Sequence, residues 1–392
     1  MESSSRDACC SARGRTTPGE RRVAPYAVRV SRTDALIAER LAEWGYMPHA
    51  VSDVFPDPTP GAIGAAVDAW CQRALGAQPA HAEFFAASAG SVYGLRLADG
   101  RRVVVKVHPP RASARYLEAM QAVQCALAEA GFPAPAPLAA PAPLARGIAT
   151  AETLLDEGGR ADAHDPAVRR ALAASLSRLV ALCRPMTALG ALRENIMATR
   201  PDALWPTPHD GRFDFAASAA GAEWLDEIAA RARRVRDRDA GNLVVGHTDW
   251  RVENMRLSSD GSVSAVYDWD SLTILREPSL AGGVAHLFTS DFRVPERAQL
   301  PTLDEGLAFI ADYEAARGAA FDDEEHAVAR AALTYAMAYT ARCEHSDLLT
   351  DMGNAPARPE RAGEPIPPGS ARAFVAAHAE ALLGRAVPSA SR

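Results

Sequence analysis

Lysine is almost absent from this sequence. Of its 42 basic residues, Lys106 is the only lysine, and all the others are arginine. Lys106 lies within RRVVVKVHPP, residues 101–110, whose valines are typical of a buried strand. A lysine carries a compact, flexible point charge, whereas an arginine carries a bulky planar fork. The sequence therefore indicates a specific need for an ammonium group at position 106. The alternative is a strand-end lysine that extends its charge to solvent.

A surplus of positive charge is also missing. The 49 acidic residues outnumber the 42 basic residues and give a net charge of −7. Nucleic acids and acidic membranes bind proteins through a basic face, so we expect neither as a partner. No apolar run reaches the roughly 18 residues that a membrane span needs, and the N-terminus lacks the apolar core of a signal peptide. We expect a cytoplasmic protein, of an oligomeric state that the sequence does not predict.

A C-x-x-C motif is absent as well. The six cysteines are scattered and include no C-x-x-C pair. This distribution favours reduced thiols over a disulfide framework or a zinc site.

The length and the periodicity of the chain indicate two lobes. A chain of 392 residues is too long for one small core. We predict an α+β protein with a small β-rich lobe over residues 81–150 and a larger, mainly helical lobe over 151–386. A helical extension, 31–80, is expected to precede the first lobe, and tails at 1–30 and 387–392 to flank the whole, the first of them disordered.

Apolar periodicity predicts the main elements. Strands are expected at 82–88, 91–99 and 101–108, with further strands inside 242–272. Helices are expected at 31–45, 59–76, 112–131, 167–183, 222–236, 304–318, 322–349 and 370–384. The segment 132–147 contains five prolines and cannot be a helix. It is either a low-complexity linker or an edge strand that leads into a hinge.

Polar side chains with hard oxygens follow two of the predicted strands. The stretch GHTDWRVEN places Asp249 and Asn254 in one loop, and AVYDWD places Asp268 and Asp270 at the end of another strand. Carboxylate and amide oxygens suit Mg²⁺, which also binds substrate phosphates. The alternative for each residue alone is turn chemistry, because Asp and Asn favour loops. Taken with an upstream small-residue turn and a strand lysine, the set matches the template for phosphoryl transfer from a nucleotide.

The pattern H-x-D-x-x-x-x-N, followed by an aspartate after a strand, resembles the aminoglycoside phosphotransferase and choline kinase-like family. These proteins are relatives of the protein kinases, and the resemblance covers roughly residues 82–290. It implies a bilobal protein-kinase-like fold. It also implies transfer of the γ-phosphate of ATP, with Mg²⁺, to a hydroxyl of a small-molecule acceptor.

The resemblance also implies roles for single residues in the second lobe. Asp249 would be the catalytic base that orients and deprotonates the acceptor hydroxyl. Asn254 and Asp268 would bind Mg²⁺, with Asp270 as a further metal-site group. His247 would hold the loop by hydrogen bonds.

In the first lobe, the resemblance implies nucleotide binding. Lys106 would bind the α- and β-phosphates and would be kept in place by Glu118 on the next helix. Backbone amides of the turn that contains Ser88, Gly90 and Ser91 would approach the phosphates.

Several positions depart from the family pattern. Arg251 follows the proposed base by two residues, where protein kinases have a lysine that contacts the transferring phosphate. It would stabilise the transferred charge or form a structural ion pair. Glu253 is unusual beside a metal site. Together with a phosphate loop that has only one glycine, it leaves a catalytically weak or inactive nucleotide-binding scaffold as the alternative function. The acceptor, either an aminoglycoside-like antibiotic or an amino alcohol or sugar metabolite, is not specified by the sequence.

Overall fold

Two units of different composition make up the computed structural model, which describes residues 32–195 and 202–384. The first unit comprises the described residues up to Ala128 together with Pro135–Leu155, and the second comprises Glu129–Ala134 and the described residues from Asp156 onward. The tails expected at 1–30 and 387–392 lie outside the described residues.

The first unit is built on a five-stranded antiparallel sheet. Its strands lie in the order β1-β2-β3-β5-β4. They are β1 Pro79–Ala87, β2 Ser91–Leu97, β3 Arg102–His108, β4 Pro137–Leu144 and β5 Gly147–Thr153. The proline-rich segment is β4, at the edge of the sheet. Proline has no N–H to donate, and an edge strand can lack these donors without breaking the hydrogen bonds between inner strands. The edge-strand interpretation of this segment is therefore confirmed, and the linker interpretation is wrong.

Four helices belong largely to this unit: α1 Thr33–Trp44, α2 His49–Ser52, α3 Pro60–Leu75 and α4 Ala114–Glu129. One face of the sheet packs against the helices that precede it. Val103, Val105 and Val107 of β3 are fully buried in this core, together with Ile37 of α1. Because successive strand residues point to opposite faces, Lys106 projects from the other face of the sheet.

The second unit is mainly helical. Its helices are α5 Pro166–Leu182, α6 Glu223–Arg236, α7 Glu277–Val284, α8 Leu303–Arg317, α9 Asp323–Thr350 and α10 Ala371–Leu383. Its strands are β6 Leu243–His247, β7 Met255–Leu257, β8 Val263–Val266 and β9 Leu272–Arg276. β6 pairs with β9, and β7 pairs with β8, in two antiparallel ribbons.

The long helix α9 organises the packing of this unit. It begins with a capping box, in which the Asp322 side chain accepts from the Glu325 backbone N–H at 2.8 Å. The acidic run at 322–325 is thus a helix start, as its position before an apolar pattern indicates. Small residues on α9, among them Ala338 and Ala341, are fully buried against α6 and α10.

The predicted α+β class is confirmed, with a β-rich first unit and a mainly helical second unit. The sequence did not predict the short helices α2 and α7, strand β9, or strand β5, whose residues Gly147–Thr153 are mostly small. Within the described ranges, no helix combines the length and the apolar character that crossing a membrane requires.

The four described cysteines are free thiols: Cys71, Cys125, Cys183 and Cys343. Burial raises the pKa of three of these thiols, those of Cys71, Cys183 and Cys343, to about 12. They are therefore unreactive core residues at neutral pH.

Candidate active site

Two loops of the second unit lie side by side because of the strand pairing. One loop, 248–254, joins β6 to β7, and the other, 267–271, joins β8 to β9. The backbone N–H of Tyr267 donates to the carbonyl of Asn254 at 2.8 Å, and the N–H of Thr248 donates to the carbonyl of Ser271 at 3.3 Å. The two parts of the predicted constellation are thus brought together by backbone hydrogen bonds.

His247 connects the two loops at their base. It is fully buried. Its Nε2 lies 2.9 Å from the carbonyl oxygen of Tyr267, and its Nδ1 lies 3.0 Å from the hydroxyl of Ser271. Trp250 and Trp269 pack edge-on against its ring, each at 5.5 Å between centroids. Both indoles are almost fully buried, so they support the loops from inside and offer no platform to a substrate.

Asp249 and Asn254 form the centre of the site. The Asn254 Nδ2 donates to the Asp249 Oδ2 at 2.8 Å and to its backbone carbonyl at 3.0 Å. Asp268 adopts a left-handed backbone conformation, with φ 64° and ψ 48°, that few residues other than Gly, Asn and Asp accept. Such a conformation in a buried loop re-aims the side chain and is typical of functional sites.

Opposing effects act on the Asp249 carboxyl. Burial raises its pKa. The charges of Arg251 and His247 act in the opposite direction. Hydrogen bonds with Asn254 and Asp268 add to them, and the pKa of Asp249 lies below its ordinary value. The carboxylate is therefore ionised and able to accept a hydrogen bond from a hydroxyl at neutral pH.

The donor set around Asn254 fits Mg²⁺. Because the Asn254 amide nitrogen faces Asp249, its Oδ1 is left as a hard ligand beside the loop of Asp268. No group of three or more His, Cys, Asp or Glu side chains within the described ranges is arranged to hold a metal. Mg²⁺ commonly takes one or two protein oxygens and completes its shell with substrate phosphates and water. Asp270 is held in the same loop, where Asn195 donates to its backbone carbonyl at 3.2 Å.

Arg251 lies beside the proposed base. Its guanidinium is 3.4 Å from the Asp249 Oδ2 and 3.6 Å from the Glu253 Oε2. It also lies 5.3 Å from the ring centroid of Phe292, which is exposed. Burial lowers the pKa of Arg251, and the surrounding carboxylates outweigh burial and raise it. Arg251 thus forms an ion pair with Asp249, and this pair places the cation next to the proposed base.

Lys106 lies in the middle of β3, in the first unit. It is half-buried and pairs in register with Val92 of β2 and Thr150 of β5. The Thr150 hydroxyl is bonded to His108 Nε2 at 3.0 Å. The ammonium group thus projects from an inner strand of the sheet, on the face opposite the valine core.

Glu118 does not occupy the place that was predicted for it. It is exposed on α4, and the described residues form no hydrogen bond or ion pair with it, so the predicted ion pair with Lys106 is not formed. Gln124 of α4 is buried instead and donates to Glu152 of β5 at 2.7 Å. Glu152 and Lys106 share one face of the sheet, because Glu152 lies two residues from Thr150, the register partner of Lys106.

The turn between β1 and β2 is only partly available to a ligand. Ser88 is exposed. A Cβ added at Gly90 would lie 2.6 Å from the carbonyl oxygen of Val107, so this glycine is required by the close approach of β3. Ser91 is fully buried and accepts a hydrogen bond from Tyr93 at 3.1 Å. The Ser91 hydroxyl is therefore bonded within the core.

Two histidines that the sequence does not single out lie within reach of the charge of the proposed base. Burial lowers the pKa of His286 to about 4 and lowers the pKa of His209. The charges of Asp249 and Arg251 act on both rings. His209 Nδ1 is 3.1 Å from the hydroxyl of Tyr339 on α9. Isolated histidines in a loop and after a helix carry no spacing signal, so only the fold brings them to the base.

A scan against family models matches residues 81–274 to the phosphotransferase enzyme family. The matched segment includes every candidate residue from Ser88 to Asp270. The resemblance to this family is therefore confirmed. A search of curated proteins gives no match.

Several solved structures are similar to this chain. The amicoumacin kinase hAmiN, solved with AMP-PNP, Ca²⁺ and amicoumacin, is 12% identical, with 78% of this chain and 89% of that chain covered and a TM-score of 0.49. An ethanolamine kinase from Plasmodium vivax is 12% identical, with 91% and 95% covered and a TM-score of 0.46. A macrolide 2′-phosphotransferase from Brachybacterium faecium is 14% identical, with 77% and 98% covered and a TM-score of 0.45. At these values, the similarities carry no argument about the reaction of this chain.

Proposed function

We propose that this chain moves the γ-phosphate of ATP to a hydroxyl group of a small molecule. The premise is that residues 81–274 belong to the phosphotransferase enzyme family. The proposal rests on the hydrogen bond between Asp249 and Asn254. Backbone hydrogen bonds hold their loop beside the loop that contains Asp268. A carboxylate for the hydroxyl proton and hard oxygens for a metal are thus adjacent.

Asp249 is the proposed catalytic base. It accepts the proton of the acceptor hydroxyl while the hydroxyl oxygen forms a bond to the γ-phosphorus. The bond from that phosphorus to the bridging oxygen breaks, and ADP leaves with the electron pair. Arg251, 3.4 Å from Asp249, offers positive charge to the oxygens of the transferring group. Most of the rate enhancement in such reactions comes from positioning and electrostatics.

Asn254 and Asp268 would hold Mg²⁺, and Asp270 would support it from the same loop. When bound, Mg²⁺ neutralises charge on the phosphate oxygens. The hydrogen bond from Asn254 to Asp249 then has a second use, because it fixes the amide with its oxygen turned away from the base.

The first unit's proposed part is nucleotide binding. Lys106 projects from an inner strand and would bind the α- and β-phosphates as a point charge, without the planar fork of an arginine. Among the turn residues, Ser88 is exposed, and its hydroxyl is proposed to approach the phosphates. Its backbone N–H already donates to the carbonyl of Gly90 at 2.9 Å.

The acceptor is proposed to be an aminoglycoside-like antibiotic or an amino alcohol or sugar metabolite. We would measure ATP turnover with Mg²⁺ against a panel of these hydroxyl compounds and identify the phosphorylated product by mass spectrometry. The control is Asp249→Asn, which should still bind Mg-ATP in calorimetry while transfer falls by about 10³-fold or more. Unchanged transfer in this variant, or no transfer to any acceptor by the wild type, contradicts the proposal.

A further inference from the structure

A chain of alternating charges leads away from the proposed base. Arg251 lies 3.4 Å from Asp249 and 3.6 Å from Glu253. Arg293 lies 3.4 Å from the other oxygen of Glu253 and 3.3 Å from Asp291. Five residues of alternating sign are thus connected, and Glu253 is the acid between the two arginines.

Arg251 is held by charge and not by hydrogen bonds. Its side chain is only 19% exposed, yet it donates no hydrogen bond to another described residue. Its Nε and the Glu253 Oε2 are both buried without a hydrogen-bond partner. Unpaired buried donors cost about 1–3 kcal/mol each. A bound anion that accepts from this Nε would recover that cost. The free N–H groups of this guanidinium suit the oxygens of an anion.

Glu253 is fixed more firmly than Arg251. Arg293 binds both the Glu253 carboxylate and the Glu253 backbone carbonyl. Asp291, which is almost fully buried, holds Arg293 in turn. The backbone N–H of Glu253 donates to the carbonyl of Ser290 at 3.2 Å. The carboxylate of Glu253 is therefore a fixed charge that attracts the guanidinium of Arg251.

We propose that Glu253 is a positioning residue that shares the Arg251 guanidinium with Asp249 and so keeps it from closing onto the base. Without this second carboxylate, Arg251 would form a bidentate pair with Asp249, the usual geometry of an arginine and a single carboxylate. That pair would cover the oxygens that must accept the hydroxyl proton. It would also take the N–H groups away from the transferring phosphate. The inference rests on the proposed function. It explains why an acid lies at position 253, which the family pattern leaves unexplained.

The first test is a double-mutant cycle. Glu253→Gln keeps the shape and the backbone hydrogen bond to Ser290. It should lower kcat about tenfold, which corresponds to about 1.4 kcal/mol, while the KM for ATP stays within about twofold. In an Arg251→Ala background, the same substitution should have no further effect, because Glu253 acts through Arg251. An equal loss of kcat in both backgrounds, or unchanged kcat in Glu253→Gln, overturns the inference.

The matched control is Glu380→Gln. Glu380 forms an exposed ion pair with Arg231 at 2.9 Å, between α10 and α6, and the substitution is chemically the same. It should leave kcat unchanged. A loss of kcat in this control equal to that in Glu253→Gln would trace the effect to general destabilisation and would also overturn the inference.

The second test measures binding and not turnover. Mg-ADP with aluminium fluoride mimics a transferring phosphoryl group, and calorimetry compares its affinity with that of Mg-ADP alone. Glu253→Gln should weaken binding of the fluoride complex about tenfold and leave Mg-ADP binding unchanged. Equal affinities of the wild type and the variant for the fluoride complex overturn the inference. If no acceptor is phosphorylated but Glu253→Gln still binds the fluoride complex more weakly than the wild type does, only the proposed acceptor chemistry is contradicted.

Discussion

At the scale of single residues, the two cations of the proposed reaction differ in kind. Lys106 is a lysine on an inner strand in a chain whose other basic residues are arginines. Arg251 is an arginine in a loop, between two carboxylates. A compact point charge suits a side chain that reaches phosphates from the face of a sheet, whereas a fork suits a place between several oxygens. The choice of residue type thus follows the geometry at each position.

Lys106→Arg should therefore impair ATP use although it keeps the charge. We expect kcat/KM for ATP to fall about 100-fold, or about 2.7 kcal/mol, because the planar fork does not fit where the ammonium lies. Steady-state kinetics and thermal unfolding of the variant measure the two effects separately. The control is Arg102→Lys on the same strand, which alters an ion pair with Glu83 and should leave ATP use within about twofold. Normal kinetics in Lys106→Arg would show that the lysine is not required.

The placement of Glu118 makes an opposite prediction. Because this residue is exposed on α4, Glu118→Gln should change the KM for ATP by less than about twofold and stability by less than about 0.5 kcal/mol. Glu152→Ala leaves the buried amide of Gln124 without its acceptor and should cost about 1–3 kcal/mol of unfolding free energy. Urea unfolding and ATP kinetics of both variants provide the measurement. A manyfold rise in the KM of Glu118→Gln would return Glu118 to the role that the resemblance implies.

At the scale of elements, close helix packing supports the loop of the base. A Cβ built at Gly282 of α7 would lie 1.9 Å from the carbonyl oxygen of Ala329 on α9, so the two helices touch at this glycine. The chain that leaves α7 continues to Phe288, whose carbonyl accepts the backbone N–H of Val252 at 3.0 Å. The position of α7 against α9 is thus transmitted to the loop of 248–254.

Gly282→Ala should accordingly destabilise the protein by about 1–3 kcal/mol, the usual cost of overpacking. The neighbouring Gly283 is the matched control, because nothing lies within 4 Å of a Cβ built there. Gly283→Ala should be neutral or stabilising by up to about 1 kcal/mol, since alanine is the better helix former. Chemical denaturation of the two variants gives the comparison, and equal stabilities would show that α7 and α9 can separate without cost.

Elements with a strong local signal could be predicted, and those that depend on tertiary partners could not. The prolines of 132–147 excluded a helix, and their spacing allowed an edge strand, which is β4. β5 has no such signal, because its small residues become a strand only between β3 and β4. The pattern around Asp249 and Asn254 predicted their proximity correctly. The side of α4 that faces the sheet was not predicted, and the error over Glu118 follows from that.

At the scale of the whole molecule, the scarcity of lysine becomes an experimental tool. Acylating reagents attack deprotonated amines, and this chain offers only Lys106 and the α-amino group. Intact mass spectrometry should therefore show at most two additions per chain at full modification. Lys106 should react slowly, because it is half-buried on an inner strand.

Mg-ATP should protect Lys106 and leave the α-amino group reactive, because the proposed phosphate contact covers only the former. We expect protection to lower the rate of acylation at Lys106 by about tenfold at saturating nucleotide, whereas AMP, which lacks the β-phosphate, should protect less. Peptide mapping separates the two sites, and loss of ATP use should follow the extent of modification at Lys106 alone. Equal rates of Lys106 acylation with and without Mg-ATP would contradict its assignment to the nucleotide. If Mg-ATP protects Lys106 but modified protein still binds ATP without using it, the acyl group acts on a step after binding.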